Sequence, residues 1–279
     1  MSLQTFTRKH DYLVCIDSDG CVMDTMNIKH LECFGPTMIE EWELQQWEDA
    51  ILARWNEINL YSMTRGVNRF NALYVALREI NDRYTPIEGL QDLEDFVMRS
   101  TELSNETLEV LIRRTGSICL HKTLNWSRNV NSRISLLGMY QKLPFPGVQE
   151  ALAISRQFAD IVIISSANRQ AVEDEWNYYN LLGSVDEVLT QDVGTKDYCI
   201  TELLTRGYDK DKVIMVGDAP GDRNAALETG VLYFPVLVRR EAQSWREFID
   251  VAIPKMKDGT YTGEYQDKLH EDFLHNLKV

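Results

Sequence analysis

A chain of 279 residues with 44% hydrophobic content can bury a sizeable core in one or two domains, which excludes the disordered and fibrous classes. Its 43 acidic side chains against 29 basic ones give a formal net charge of −14, so it carries no basic footprint for nucleic acid or an anionic membrane. The five cysteines form no Cys-x-x-Cys pair, the N-terminus shows no charged-then-apolar leader, and no apolar run reaches membrane-spanning length; a cytoplasmic address with no nucleic-acid or membrane partner is the expectation.

The first element is a short buried strand, Leu13, Val14, Cys15 and Ile16. It runs directly into Asp17, Ser18, Asp19 and Gly20, with Asp24 four residues on. Carboxylates crowded at a strand end repel one another and need protonation or a cation, and an oxygen-only donor set asks for a hard ion such as Mg²⁺. From residue 26 to 141 the pattern turns helical. Trp42, Trp47, Ile51, Trp55 and Ile58 recur at helical spacing, as do Phe70, Leu73, Leu77 and Ile80, and again Leu108, Leu111 and Ile112. These stripes read as core packing. Gly66, Pro86, Gly89 and Gly116 divide the stretch into short helices, with Ser104 and Asn125 as cap or turn positions.

Near Pro144 the pattern returns to alternation. Helices are expected over 150–158, 170–182, 196–206 and 223–228, and strands over 161–164, 187–189, 213–216 and 231–234. Strands alternating with helices predict an α/β fold, a doubly wound, Rossmann-like parallel sheet formed by residues 1–25 and 142–236. An all-α domain, 26–141, is inserted in it, and a helical tail, 237–279, packs on the core. In the tail, Ser244 and Thr262 suit helix caps, and Pro254 should kink or end the first helix. The strand at 213–216 ends in Gly217, Asp218, Ala219, Pro220, Gly221 and Asp222, a second acid cluster. Open parallel sheets bind ligands outside the carboxyl ends of their strands, where both clusters fall.

The pattern Asp-x-Asp-Gly-x-x-x-Asp at 17–24, followed by Gly-Asp-x-x-x-Asp at 217–222, resembles the haloacid dehalogenase superfamily of phosphoryl-transfer enzymes. The resemblance implies that Asp17 is a nucleophile forming an aspartyl phosphate, and that Asp19 is the general acid and base, its backbone carbonyl ligating Mg²⁺. Asp218 is implied as a metal carboxylate and Asp222 as a ligand or an orienter of the metal's water shell. Asp24 suits a hydrogen bond at a helix start better than a place in this set. Of Ser165 and Ser166, the spacing to Leu181 favours Ser166, with the Ala167 N–H, as the phosphate ligand. Lys196 matches the phosphate-binding lysine, although an ordinary solvated lysine fits the same position. The insert stands where the family carries a cap. Its Gly66-Val67-Asn68-Arg69 tract is similar to the β-phosphoglucomutase type, placing Arg69, assisted by Arg65, on a second anion of the substrate; a solvated arginine at a helix start fits equally.

The implied function is a Mg²⁺-dependent phosphatase acting on a small phosphorylated metabolite. A phosphomutase would use the same Asp17 and Asp19 beneath a water-excluding cap, and a non-catalytic phosphometabolite sensor is the alternative from another class. Dehalogenation is disfavoured because that branch has no acid two residues after its nucleophile. Phosphonate cleavage requires a cap lysine, and the insert offers only Lys29 and Lys122.

Overall fold

In a computed structural model the structure describes residues 6–278. The expectation about a leader rests in part on residues 1–5, which lie outside the described residues. The chain forms two compact units: one takes the chain up to Met26 together with Met139–Lys278, the other Asn27–Gly138.

The first unit is built on five parallel strands, β1 (Tyr12–Ile16), β2 (Ala159–Ile164), β3 (Glu187–Leu189), β4 (Val213–Gly217) and β5 (Leu232–Pro235), in the order β3-β2-β1-β4-β5. β2 and β4 are buried along their whole length; β4 accordingly reads as an unbroken apolar run, and β2 does so from Ile161 on, after the buried acid Asp160, which accepts from the Tyr208 hydroxyl. The helices Val148–Ser155, Arg169–Tyr178, Lys196–Leu204 and Pro220–Thr229 follow the pattern of crossover connections. Ile163, Trp176, Ile214 and Phe234 share one core cluster with Trp245, Phe248 and Leu269 of the tail. The chain leaves β1 toward β2 on one side and returns as β4 on the other. A crevice at the ends of β1 and β4 follows from that reversal. Ile16 pairs with Val216, so Asp17 and the residues after Gly217 emerge side by side.

The tail corrects three expectations. Ser244 does not cap a helix: it lies inside Glu241–Glu247, where its hydroxyl accepts from the Leu237 N–H and donates to the Arg240 carbonyl, each at 3.0 Å. Pro254 does not end the helical run, which continues to Lys257. The π-helical turn Phe248–Ala252 precedes it, so Pro254 falls in the first turn of Ile253–Lys257, where a missing N–H costs no regular bond. The last helix, Glu264–Asn276, begins beyond Thr262 and is preceded by Gly263 at φ +86°, a conformation that glycine adopts without strain.

The second unit is helical throughout, with longer helices at Glu48–Leu60, Arg69–Arg83, Leu90–Arg99, Asn105–Thr115 and Ile118–Leu136. Trp55, Phe70, Phe96 and Trp126 lie in its core, with the rings of Phe70 and Phe96 edge to face at 5.4 Å. Ser104 caps its helix by accepting from the Thr107 N–H. Asn125 does not mark a turn: it sits mid-helix in Ile118–Leu136, where apolar neighbours on the buried face outweigh its weak helix propensity. Among the described residues, no helix is long and apolar enough to cross a membrane.

Candidate active site

The loop after β1 is a tight turn around one carbonyl. Ser18 C=O accepts from the N–H groups of Cys21, Val22 and Met23, at 3.3, 3.0 and 2.9 Å, and Gly20 turns the chain at φ +81°. The Asp17 N–H donates to the Val216 carbonyl at 3.0 Å, which fixes the residue at the crest of the sheet. Its Oδ1 accepts from the Ser18 N–H at 2.8 Å. Asp19 is half-buried, and its Oδ1 accepts from the Thr25 hydroxyl.

The loop after β4 brings the second pair of acids. Asp218 follows the strand directly and is buried. Asp222 lies in the first turn of Pro220–Thr229 and reaches back to accept from the Ala219 N–H at 2.9 Å, a stabilising place for a carboxylate. That fold-back explains Gly217. A Cβ there would come within 2.2 Å of the Asp222 carboxyl carbon.

Oxygens of Asp17, Asp218 and Asp222 all lie within 4.8 Å of one another. Lys196, at the start of Lys196–Leu204, inserts its ammonium between two of them, 2.9 Å from Asp17 Oδ2 and 2.5 Å from Asp222 Oδ1. Burial pushes the Asp17 carboxyl up to about 6, against the pull of Lys196. Asp222 is raised too, by burial first and then by Asp218. Burial also works against the Lys196 charge, yet the carboxylates of Asp17 and Asp222 outweigh it and hold its pKa above the usual value. Three buried carboxylates facing one ammonium leave an excess of two negative charges when all are ionised. An all-oxygen donor set with that excess fits a hard divalent cation such as Mg²⁺.

The two serines after β2 differ in setting. Ser165 is buried at the strand end, its N–H bonded to the Leu189 carbonyl and its Oγ accepting from the Ala167 N–H at 3.2 Å, whereas Ser166 is exposed. Within the helical unit, Arg65 is buried and donates to the Leu60 carbonyl at 2.9 Å. Arg69 donates to Asn131 Oδ1 at 2.7 Å and to Ser127 Oγ at 3.4 Å, with its guanidinium 5.1 Å from the Phe34 ring centre.

Three positions around the acids have no counterpart in the sequence pattern. Trp176 Nε1 donates to Ser18 Oγ at 2.9 Å, Trp245 Nε1 donates to the Cys21 carbonyl at 3.1 Å, and the Tyr233 hydroxyl donates to the Gly217 carbonyl at 3.2 Å. All three side chains are fully buried. A buried tryptophan or tyrosine needs a partner for its N–H or O–H, and that need is the one available signal; it does not say which loop answers it.

A parallel sheet wound on both faces carries acids from adjacent strand ends that converge on a lysine, and the comparison with known families agrees with that architecture. The sequence profile described as haloacid dehalogenase-like hydrolase matches residues 67–236, and the chain belongs to that family. The matched span includes Lys196, Asp218 and Asp222 but begins after Asp19 and after Asp17, which the sheet brings to the same centre as those three. No curated protein matches. Among solved structures, a candidate phosphoglycolate phosphatase from Lactobacillus delbrueckii subsp. bulgaricus is similar at TM-score 0.50 and 14% identity, covering 81% of this chain and 85% of that one. A haloacid dehalogenase-like family hydrolase from Streptococcus pneumoniae aligns at TM-score 0.47 and 14% identity, covering 84% and 90%. A candidate β-phosphoglucomutase from Thermotoga maritima aligns at TM-score 0.47 and 13% identity, covering 80% and 84%.

Proposed function

We propose that the protein is a Mg²⁺-dependent phosphatase hydrolysing a small phosphorylated metabolite through an aspartyl phosphate. The observation that carries the reading is the convergence of Asp17, Asp218 and Asp222 on one buried point with Lys196 between them. The Asp17 carboxylate attacks phosphorus, the bond to the ester oxygen breaks, and Asp19 gives that oxygen its proton. Asp19 then takes a proton from water, which attacks the aspartyl phosphate, releases phosphate and regenerates Asp17. The Ser18 N–H and Thr25 hydroxyl hold the two carboxylates in fixed rotamers for these steps. Lys196, anchored by two acids, presents positive charge where the transferred group's oxygens arrive. Mg²⁺, held by Asp17, Asp218, Asp222 and the Asp19 carbonyl, would supply further neutralisation of the phosphoryl charge.

Ser165 is the better phosphate ligand on this reading, because it is the serine ordered at the strand end, where its Oγ already accepts from the Ala167 N–H. Ser165→Ala should therefore raise KM or lower kcat for phosphate esters by about tenfold or more, consistent with one lost hydrogen bond to a charged group, while Ser166→Ala changes little. The reverse ranking restores Ser166 to the role. In the helical unit, Arg69, with Arg65 beside it in sequence, is proposed to select the substrate. The decisive experiment screens the purified protein against a panel of phosphorylated metabolites with and without Mg²⁺. Release of inorganic phosphate that EDTA abolishes is expected, and conversion to an isomeric phosphate ester without phosphate release would replace hydrolysis by a mutase reaction.

A further inference from the structure

The segment after Pro235 is more than a packed tail. Its Trp245 touches the loop of Asp17 and Asp19 at a main-chain carbonyl, and further along it reaches the loop of Asp218 and Asp222 through Tyr233 of β5 and through Arg223. In Glu241–Glu247, Trp245 is fully buried and donates to the Cys21 carbonyl, inside the turn that carries Asp17 and Asp19. Room for it is made by Gly147, at φ +94°, where an added Cβ would stand 3.0 Å from the Trp245 Cβ. On the other side, the tail closes over Tyr233. Tyr261 donates its hydroxyl to the Tyr233 carbonyl at 2.8 Å, His270 stacks on the Tyr233 ring at 5.7 Å, and Phe273 meets it edge-on at 5.5 Å. Tyr233 passes this constraint on, its own hydroxyl bonding the Gly217 carbonyl next to Asp218. His270 adds a second link, because its Nδ1 accepts from Nε of Arg223, the residue after Asp222, at 3.2 Å.

We propose that the C-terminal segment is a positioning element of the active site, with Trp245 setting the loop of Asp17 and Asp19, and Tyr233, clamped by Tyr261, His270 and Phe273, setting the loop of Asp218 and Asp222. The inference rests on the Mg²⁺-binding reading of those acids. Its physical basis is that a metal with near-ideal octahedral demands binds well only where its ligands are already held, so groups that hold the ligand-bearing loops affect affinity. Each loop has main-chain bonds of its own, the Ser18 carbonyl with three N–H donors and the Gly217 carbonyl with the Val236 N–H at 2.9 Å. A hydrogen bond from a fully buried, rigid indole or phenol adds a fixed point from outside the loop.

The test uses Trp245→Phe and Tyr233→Phe, which keep an aromatic ring and delete the donor, with Tyr265→Phe as a control inside the tail whose hydroxyl meets only Glu247, at 3.3 Å. Three quantities are measured on each purified variant: the thermal midpoint, the Kd for Mg²⁺ alone by calorimetry, and kcat and KM on para-nitrophenyl phosphate. Trp245→Phe and Tyr233→Phe are expected to weaken Mg²⁺ binding or lower kcat by about 10- to 100-fold, the usual range for such supporting partners, with Tyr265→Phe unchanged in both. A purely structural tail would move the thermal midpoint in all three variants and leave both the Mg²⁺ Kd and kcat at their wild-type values in all three, and that outcome overturns the proposal. Tyr233→Phe, one oxygen smaller than the native residue, decides the matter if Trp245→Phe does not fold. Wild-type protein that fails to bind Mg²⁺ would sink the Mg²⁺ reading and this inference together, whereas wild-type binding with unaffected variants sinks only the inference.

Discussion

The two units handle buried polar groups differently. In the helical unit many solutions are local, although Trp126 Nε1 reaches the Phe34 carbonyl at 3.1 Å. Asn59 donates to the Trp55 carbonyl, Thr123 to the Cys119 carbonyl and Arg65 to the Leu60 carbonyl, each at 2.9 Å and four or five residues back along the chain. In the α/β unit, Lys196 bridges Asp17 and Asp222, Trp176 reaches Ser18, and Trp245 reaches Cys21, all across long stretches of sequence. Local bonds satisfy a helix and ask for nothing more. A long-range gathering of three acids and one lysine leaves uncompensated charge, and evolution keeps such a centre for what it binds or does rather than for stability. The comparison therefore predicts that neutralising the centre damages activity while sparing the fold.

The largest effect is expected for Asp17→Asn, which should abolish turnover. The sign of its effect on stability follows from the raised carboxyl. Burial holds Asp17 at about 6, above the roughly 3.9 of an unfolded aspartate, so the folded state binds the proton more tightly and loses stability as pH rises through that interval. A neutral amide removes this loss, so the thermal midpoint without Mg²⁺ at neutral pH should be unchanged or raised. Wild-type-like rates in this variant would end the aspartyl-phosphate reading, and gross unfolding would break the contrast between the units. Next comes Asp19→Asn, which deletes proton transfer and should cost about 10² to 10⁴ in rate on esters with poor leaving groups, much less on para-nitrophenyl phosphate. Equal losses on both would remove the acid role from Asp19.

The comparison also explains what could be read before folding. Unbroken apolar runs ending in acids mark β1 and β4, and the parallel, doubly wound sheet follows from their alternation with helices. Asp17, Lys196, Asp218 and Asp222 stand out by residue type at strand ends or helix starts, and the sheet order then puts them in contact. Trp176, Trp245 and Tyr233 stay hidden, because a stripe of apolar residues looks the same whether its indole meets a distant loop or only other side chains. Ser244 and Thr262 mislead for a different reason. Each has the chemistry of a cap, but Ser244 finds partners inside its helix and the last helix begins after a glycine with positive φ.

Within the metal set, Asp218→Ala should weaken the Mg²⁺ dependence of activity more than Asp222→Ala, since Asp222 already spends its Oδ2 on the Ala219 N–H and its Oδ1 on Lys196. Metal titrations giving the reverse order would exchange the two roles. Part of any loss in Asp222→Ala should come from the freed Lys196, and Asp222→Asn, which keeps an acceptor, should recover some of it.

Arg69, like Trp126, is met by partners far along the sequence, and it gives the smallest and most selective prediction. Its guanidinium is held by Asn131, Ser127 and the face of Phe34, none of them an acid, and burial lowers its pKa. A cation kept among neutral partners has capacity left for an anion, because the planar fork carries five donors and these contacts engage few of them. If that anion is a remote group of the substrate, Arg69→Ala should leave para-nitrophenyl phosphate nearly unaffected and depress kcat/KM for the physiological ester. Hydrogen bonds to charged groups are worth about 1.5–3 kcal/mol, so a fall of roughly ten- to a hundredfold is expected. Equal losses on both substrates would instead show a disturbed helical unit, for which the loss of the Phe34 contact and a lowered thermal midpoint would be the cause. Unchanged kinetics on both would make Arg69 a packing residue.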